Sequence, residues 1–170
     1  MAILIDLDQT LIDSHLAESH RRARDWESVY RLVPKLSPYP GITELLNDLK
    51  IAGTPICIVT SSPNSYCRRV IAQWGWKINA TVCYHDTKNK KPYPDPILLA
   101  LERLGVETAG AIAIGDAAKD TQAARSAGVF SIGAGWGALE RNQLLQSNPD
   151  LLCETVGDLR KTLFEKFEIS

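Results

Sequence analysis

The sequence predicts an α/β fold, a doubly wound parallel sheet flanked by helices. Three observations carry that prediction. Short apolar runs recur along the 170 residues, and each is followed by a stretch of helical periodicity. The runs are continuously apolar instead of alternating, as expected for strands covered on both faces. Glycines fall just past several helical stretches, where a left-handed residue can end a helix.

In chain order, strands are expected at 3–5, 55–59, 80–83, 111–114, 129–132 and, from a weaker pattern, 151–153. Helices are expected at 42–52, 63–74, 95–105, 118–127, 137–146 and 156–167. Gly53, Gly105 and Gly128 read as helix stops, and Gly41 marks the start of the helix at 42–52. Ser62-Pro63 reads as an N-cap followed by proline at the first helical position. The segment 14–38 breaks the alternation. Within it Ala23, Trp26, Tyr30 and Val33 fall on one stripe, so a single extra helix beside the strand tips is expected. No repeat, low-complexity tract or linker divides the chain, which reads as one domain over 1–170.

Composition narrows the functional classes. The formal net charge is −1, so no global field points to nucleic acid or membrane. No apolar run is long enough to span a bilayer, and Met1 leads straight into the first strand without a secretory pattern. Cys57, Cys67, Cys83 and Cys153 lack C-x-x-C spacing, which favours free thiols in a reducing, cytoplasmic setting over a metal site or disulfides.

The informative residues follow the strands. The first run ends in "ILIDLDQT", with Asp6, Asp8 and Thr10; the second in "IVTSSP", with Thr60, Ser61 and Ser62. A loop "HDTKNKKPYPDP" carrying Lys91 follows the third, and "IGDAAKD", with Asp116 and Asp120, follows the fourth. In a parallel sheet these ends face one crevice. The set fits phosphoryl transfer through a carboxyl-phosphate, with Asp6 as nucleophile and Asp8 as general acid and then base. Two carboxylates need a hard cation before a phosphate can approach, and Mg²⁺ takes oxygen ligands. Asp6, the backbone carbonyl of Asp8, and Asp116 are the expected ligands. Thr60 would bond a phosphoryl oxygen, with Thr10, Ser61 and Ser62 as further substrate contacts near a helix start. Lys91 would offset the developing charge, and Asp120 would orient Lys91 or hold a water. Each motif alone has a plainer reading as a turn, a helix cap or a solvated lysine; their joint occurrence, in order and each after a strand, favours the chemistry.

At these residues the chain resembles the haloacid dehalogenase superfamily of phosphohydrolases. Asp6-Leu7-Asp8-Gln9-Thr10 matches its D-x-D-x-[TV] motif, and Thr60 its Thr or Ser after a strand. Lys91 before Pro92 matches its lysine, and Gly115-Asp116 with Asp120 its G-D-x-x-x-D. The resemblance implies a Rossmann-like core, Mg²⁺ dependence and an aspartyl-phosphate intermediate. The second acid, Asp8, marks the phosphatases and mutases of that superfamily and disfavours dehalogenation. Many relatives carry a large helical cap after the first motif; here 14–38 would serve as a minimal cap insert. The implied function is a phosphomonoester hydrolase with an open site, which a homo-oligomer would complete. A small phosphorylated molecule is favoured over nucleic acid as substrate, with no membrane partner. The alternatives are a phosphatase acting on a nucleic-acid terminus, or a non-catalytic phosphate-binding or phospho-aspartate signalling module. Arg21, Arg24, Arg31 and Lys35 would share a second stripe of the insert helix, read chiefly as a solvated face and secondarily as a guide for phosphate-rich substrates.

Overall fold

The computed structural model describes residues 1–169. Its strands are β1 (Ala2–Ile5), β2 (Ile12–Asp13), β3 (Ser37–Pro38), β4 (Ile56–Val59), β5 (Ala80–Val82), β6 (Ala111–Gly115), β7 (Phe130–Ala134) and β8 (Leu151–Cys153). Its α-helices are α1 (Glu18–Arg22), α2 (Trp26–Leu32), α3 (Ile42–Ile51), α4 (Asn64–Trp74), α5 (Asp95–Leu104), α6 (Ala118–Ser126), α7 (Arg141–Gln146) and α8 (Val156–Lys161). Six strands pair in parallel in the order β5-β4-β1-β6-β7-β8, while β2 and β3 form a separate antiparallel ribbon.

The continuous apolar runs have a direct cause. Ile3 and Ile5 of β1, Ile56 and Ile58 of β4, and Ile112 and Ile114 of β6 enter one core with Leu45, Val70 and Leu159. Their neighbours Leu4, Cys57, Val59, Ala111 and Ala113 point to the opposite face and meet Ile97, Leu101 and Ala123. Side chains alternate along each strand, but both faces are covered, so both sets are apolar. Gly53, Gly105 and Gly128 sit at φ +66°, +66° and +72° just past their helices, as their placement predicts.

The strand order places the site. From central β1 the chain winds outward to β4 and β5, then returns beside β1 as β6 and winds outward to β7 and β8. The carboxyl ends of β1 and β6 therefore flank the point where winding reverses, where such sheets leave a crevice. Asp6 follows β1 and Asp116 follows β6.

Several local expectations are corrected. The insert is not one helix: α1 ends at Arg22, and Arg24 takes φ +58° before Asp25 starts α2 by accepting from the Ser28 N–H at 3.2 Å. The break removes the continuous Arg21/Arg24/Arg31/Lys35 stripe. Ser62 does not cap α4; Pro63 occupies that position in extended conformation, and the Ser62 hydroxyl turns into the crevice. The stretch expected to be helical from 137 begins as an α-helix only at Arg141, after a single tight turn at Gly135–Gly137. The last helix changes from α to a wider π turn over Thr162–Lys166. Among the described residues, no helix is long and apolar enough to cross a membrane.

Candidate active site

The crevice gathers the residues that the sequence scatters. Asp6, Asp8, Thr60, Lys91, Asp116 and Asp120 are all buried there, at 5–9% exposure. Such burial of charge is costly unless every charge has a partner. Lys91 supplies one. Its Nζ donates to Asp6 Oδ1 at 2.9 Å, Asp120 Oδ1 at 2.5 Å and the Val59 carbonyl at 3.0 Å. Burial alone would push the Lys91 ammonium down, but Asp120 and then Asp6 outweigh it and hold it above the ordinary lysine range.

Asp120 bridges two elements. Its Oδ2 accepts from the Ala117 N–H at 3.0 Å at the start of α6, while Oδ1 receives Lys91. Gly115 makes this approach possible: a Cβ there would stand 2.4 Å from Asp120 Cβ. The glycine of the G-D-x-x-x-D motif thus has a steric reason.

Asp6, Asp116 and Asp120 each bring a carboxylate oxygen within 4.8 Å of the others. Thr10, fully buried, spends its hydroxyl on Asp116 Oδ1 at 2.8 Å. It therefore orients Asp116, whereas a substrate contact had been expected. Burial first, then the charges of Asp6 and Asp120, push the Asp116 carboxyl up to about 8. Crowded carboxylates that offer only oxygen donors fit a hard divalent cation. Asp6 and Asp116 are the expected ligands that this cluster contains; the expected contribution from Asp8 is its backbone carbonyl.

The Asp8 carboxylate faces a different set of groups. Its Oδ2 accepts from the Ser62 hydroxyl at 2.7 Å and lies 2.8 Å from Arg21 Nη2, and its Oδ1 accepts from the Tyr66 hydroxyl at 2.8 Å. Burial foremost, and then Asp8, push the Tyr66 phenol far above its usual range, so it remains a donor. Burial works against the Arg21 charge, but Asp8, followed by Tyr66 and Glu18, more than restores it. Arg21 and Tyr66 were not among the expected site residues. No sequence signal marks Tyr66, which lies one helical turn beyond Ser62 on α4. Arg21 was read as part of a stripe, chiefly a solvated face and secondarily a guide for phosphate-rich substrates, not as a partner of Asp8.

Thr60 Oγ1 accepts from the Ser62 N–H at 3.0 Å, which fixes the turn after β4. Ser61 keeps partial exposure and receives Lys119 Nζ at 3.5 Å. Asp6, Asp8, Thr60, Ser61 and Asp116 line one cavity of about 170 Å³. The Trp136 indole N–H donates to the Thr10 carbonyl at 3.0 Å. His15 contributes only its backbone N–H, to Asp13 at 3.0 Å, and His20 lies 3.1 Å from Asp25 at the insert break.

Comparisons with known proteins identify the family. The profile of haloacid dehalogenase-like hydrolases matches residues 17–134. The chain is 31% identical over 130 residues to a phosphoglycolate phosphatase of Escherichia coli strain K12, covering 74% of this chain and 50% of that protein. It is 36% identical over 134 residues to a phosphoglycolate phosphatase of Xylella fastidiosa strain Temecula1, covering 78% and 56% respectively. The chain thus spans about half the length of the curated relatives it matches. The solved structure of a hydrolase from Pseudomonas syringae superposes with a TM-score of 0.81 at 22% identity, covering 97% of this chain and 98% of that one. On the profile match, this chain belongs to the haloacid dehalogenase-like hydrolase family.

Proposed function

We propose that this chain is a Mg²⁺-dependent phosphomonoester hydrolase acting through an acyl phosphate on Asp6. One observation carries the reading. Asp6 ends the central strand with one oxygen tied to Lys91 at 2.9 Å, inside a three-carboxylate cluster that suits a cation. The relatives named as phosphoglycolate phosphatases support phosphatase chemistry on a small phosphomonoester.

Mg²⁺ held by Asp6, the Asp8 carbonyl and Asp116 would neutralise phosphoryl charge and admit a phosphate among the acids. Asp6 attacks phosphorus, the bond to the leaving oxygen breaks, and that oxygen takes a proton from Asp8. Water then attacks the phosphorus of the aspartyl-phosphate, Asp8 takes its proton, and phosphate and Asp6 separate. Thr60 and the backbone N–H groups at Ser61 and Ser62 support the phosphoryl oxygens, and Lys91 balances charge on Asp6. Arg21 beside Asp8 can only donate, whereas the Ser62 hydroxyl can turn to accept, so the surroundings can serve Asp8 as base and as acid. The absence of a strong net charge supports a small-molecule substrate over a nucleic-acid end.

The test is p-nitrophenyl phosphate turnover by the purified chain. Activity that requires Mg²⁺, vanishes in EDTA and is lost in Asp6→Asn is the expected result. Full activity in a verified Asp6→Asn protein would overturn the reading. Asp8→Asn is expected to trap labelled phosphoenzyme on this activated substrate.

A further inference from the structure

The arginine stripe comes apart in the structure, and its members separate. Arg31 pairs with Glu27 on the exposed side of α2. Arg21, Arg22 and Arg24 instead converge with Trp26, Tyr84 and His85 around a second cavity of about 260 Å³. Glu18, Arg21, Arg22 and Ser61 line both this chamber and the one over Asp6. The chambers therefore adjoin, and a group leaving a phosphate seated over Asp6 has the second chamber beside it.

Charge in that chamber is unbalanced. Glu18 is its one carboxylate among the described residues, and it already pairs with Arg21 at 3.0 Å and Arg22 at 2.7 Å. Arg21 is further engaged by Asp8 at 2.8 Å. Arg24 pairs with no carboxylate among the described residues, so its charge is uncommitted. Its position is built by the backbone: φ is +58°, in the left-handed region that residues with a Cβ seldom enter. The turn is closed by the Arg24 N–H on the Arg21 carbonyl at 3.1 Å and the Asp25 N–H on the His20 carbonyl at 2.9 Å. The remaining wall is aromatic, with half-buried Trp26 and with Tyr84 edge-on to His85 at 5.0 Å between ring centres. Such mixed walls, apolar with a few convergent charges, suit a small ligand with one flat part and one charged part.

We propose that this chamber seats the leaving group, and that the group is a flat ring bearing a second anion. The aromatic wall takes the ring and Arg24, seconded by Arg22, takes the anion. The inference rests on the phosphatase reading and names the substrate class for the same site. It also departs from the two-carbon acid in the curated relatives' names, which would leave the aromatic wall unused.

The experiment compares kcat/KM for 4-carboxyphenyl phosphate, phenyl phosphate, phosphoglycolate and p-nitrophenyl phosphate, using the whole chain with Mg²⁺. Wild type is expected to favour 4-carboxyphenyl phosphate over phenyl phosphate by about ten-fold or more, as a charge-assisted contact would give. It should also favour it over phosphoglycolate. Arg24→Ala, at an exposed position, should bring the first ratio to within about two-fold, mainly through KM. His85→Ala, also exposed, should narrow the second. Arg31→Ala should alter neither ratio. A wild-type preference near one, a ratio untouched by Arg24→Ala, or better turnover of phosphoglycolate would overturn the proposal. Inactivity on all four substrates would overturn the phosphatase reading as well, whereas p-nitrophenyl phosphate turnover without discrimination would overturn this inference alone.

Discussion

Arg21 of the insert lies 2.8 Å from Asp8 Oδ2 and ties the short helix α1 to the first-strand motif. The same guanidinium donates to Ser14 at 3.2 Å, Glu18 at 3.0 Å and Ser62 at 3.3 Å. One side chain thus joins the insert, the first motif and the turn after β4. It is a positioning residue, acting through Asp8. Arg21→Ala is expected to cost about 2 kcal/mol, the scale of losing charge-assisted hydrogen bonds in a mostly buried setting; urea unfolding measures it. Its kinetic signature should be a split by leaving group. Alkyl phosphates, which need the acid, should lose more kcat than p-nitrophenyl phosphate, which needs it little. Equal losses on both would show that Arg21 acts only structurally.

Lys91 is the counter-charge for Asp6 and Asp120, and its side chain is 3% exposed. Lys91→Met keeps the stem but leaves two buried acids facing each other beside Asp116. Breaking a buried pair from one side costs about 3–5 kcal/mol. The variant should melt well below wild type in EDTA, and added Mg²⁺ should raise its melting temperature by more than it raises wild type. Activity should fall by about a hundred-fold or more, since charge compensation at the nucleophile is gone. A Mg²⁺ response no larger than wild type would argue against one shared cation-and-lysine centre.

The strands were legible because their cause is local: Ile3-Leu4-Ile5 is buried on both faces, and such a run has few other readings. The positions of Asp6, Thr60, Lys91 and Asp116 were legible because the crevice follows from strand order and each residue follows a strand. The insert was not. A stripe of Ala23, Trp26, Tyr30 and Val33 counts correctly on one helix, and only the Asp25 cap, with Glu27 in the following turn, hinted at a new helix start. Ser62 misled because a serine before proline is a good cap; its pull toward Asp8 is tertiary, across 54 residues. Arg21 and Tyr66 reach Asp8 from different elements, and no spacing rule encodes that convergence.

The carboxylate cluster should make stability depend on pH in an unusual direction. Asp116 is raised from 3.8 to about 8, so between these values the folded chain holds a proton that the unfolded chain has released. Stability then falls as pH rises through that window, the reverse of an acid held low by a salt bridge. In EDTA the melting temperature should drop from pH 5 toward pH 8, after subtraction of the same curve for Asp116→Asn. Mg²⁺ should flatten the slope, and its apparent affinity should rise with pH as the proton leaves. A wild-type slope equal to that of Asp116→Asn would show that Asp116 does not carry the effect.

Two glycine substitutions separate steric need from mere presence in a motif. At Gly115 a Cβ would fall 2.4 Å from Asp120 Cβ and 2.6 Å from its Oδ2, and neither atom is the free end of a flexible chain. Asp120 would have to abandon either Lys91 at 2.5 Å or the Ala117 N–H at 3.0 Å. Gly115→Ala should therefore lower stability by about 2–3 kcal/mol, the range for forced overpacking and lost buried hydrogen bonds. It should lower kcat more than KM, because either loss loosens the Asp120 carboxylate that anchors Lys91 beside the nucleophile. At Gly110, before β6, a Cβ would meet nothing within 4 Å. Gly110→Ala should stay within about 0.5 kcal/mol of wild type, as ordinary surface changes do, with unaltered turnover. If both variants behaved alike in urea and in steady-state assays, the close approach of Asp120 would not be what this motif's glycine protects.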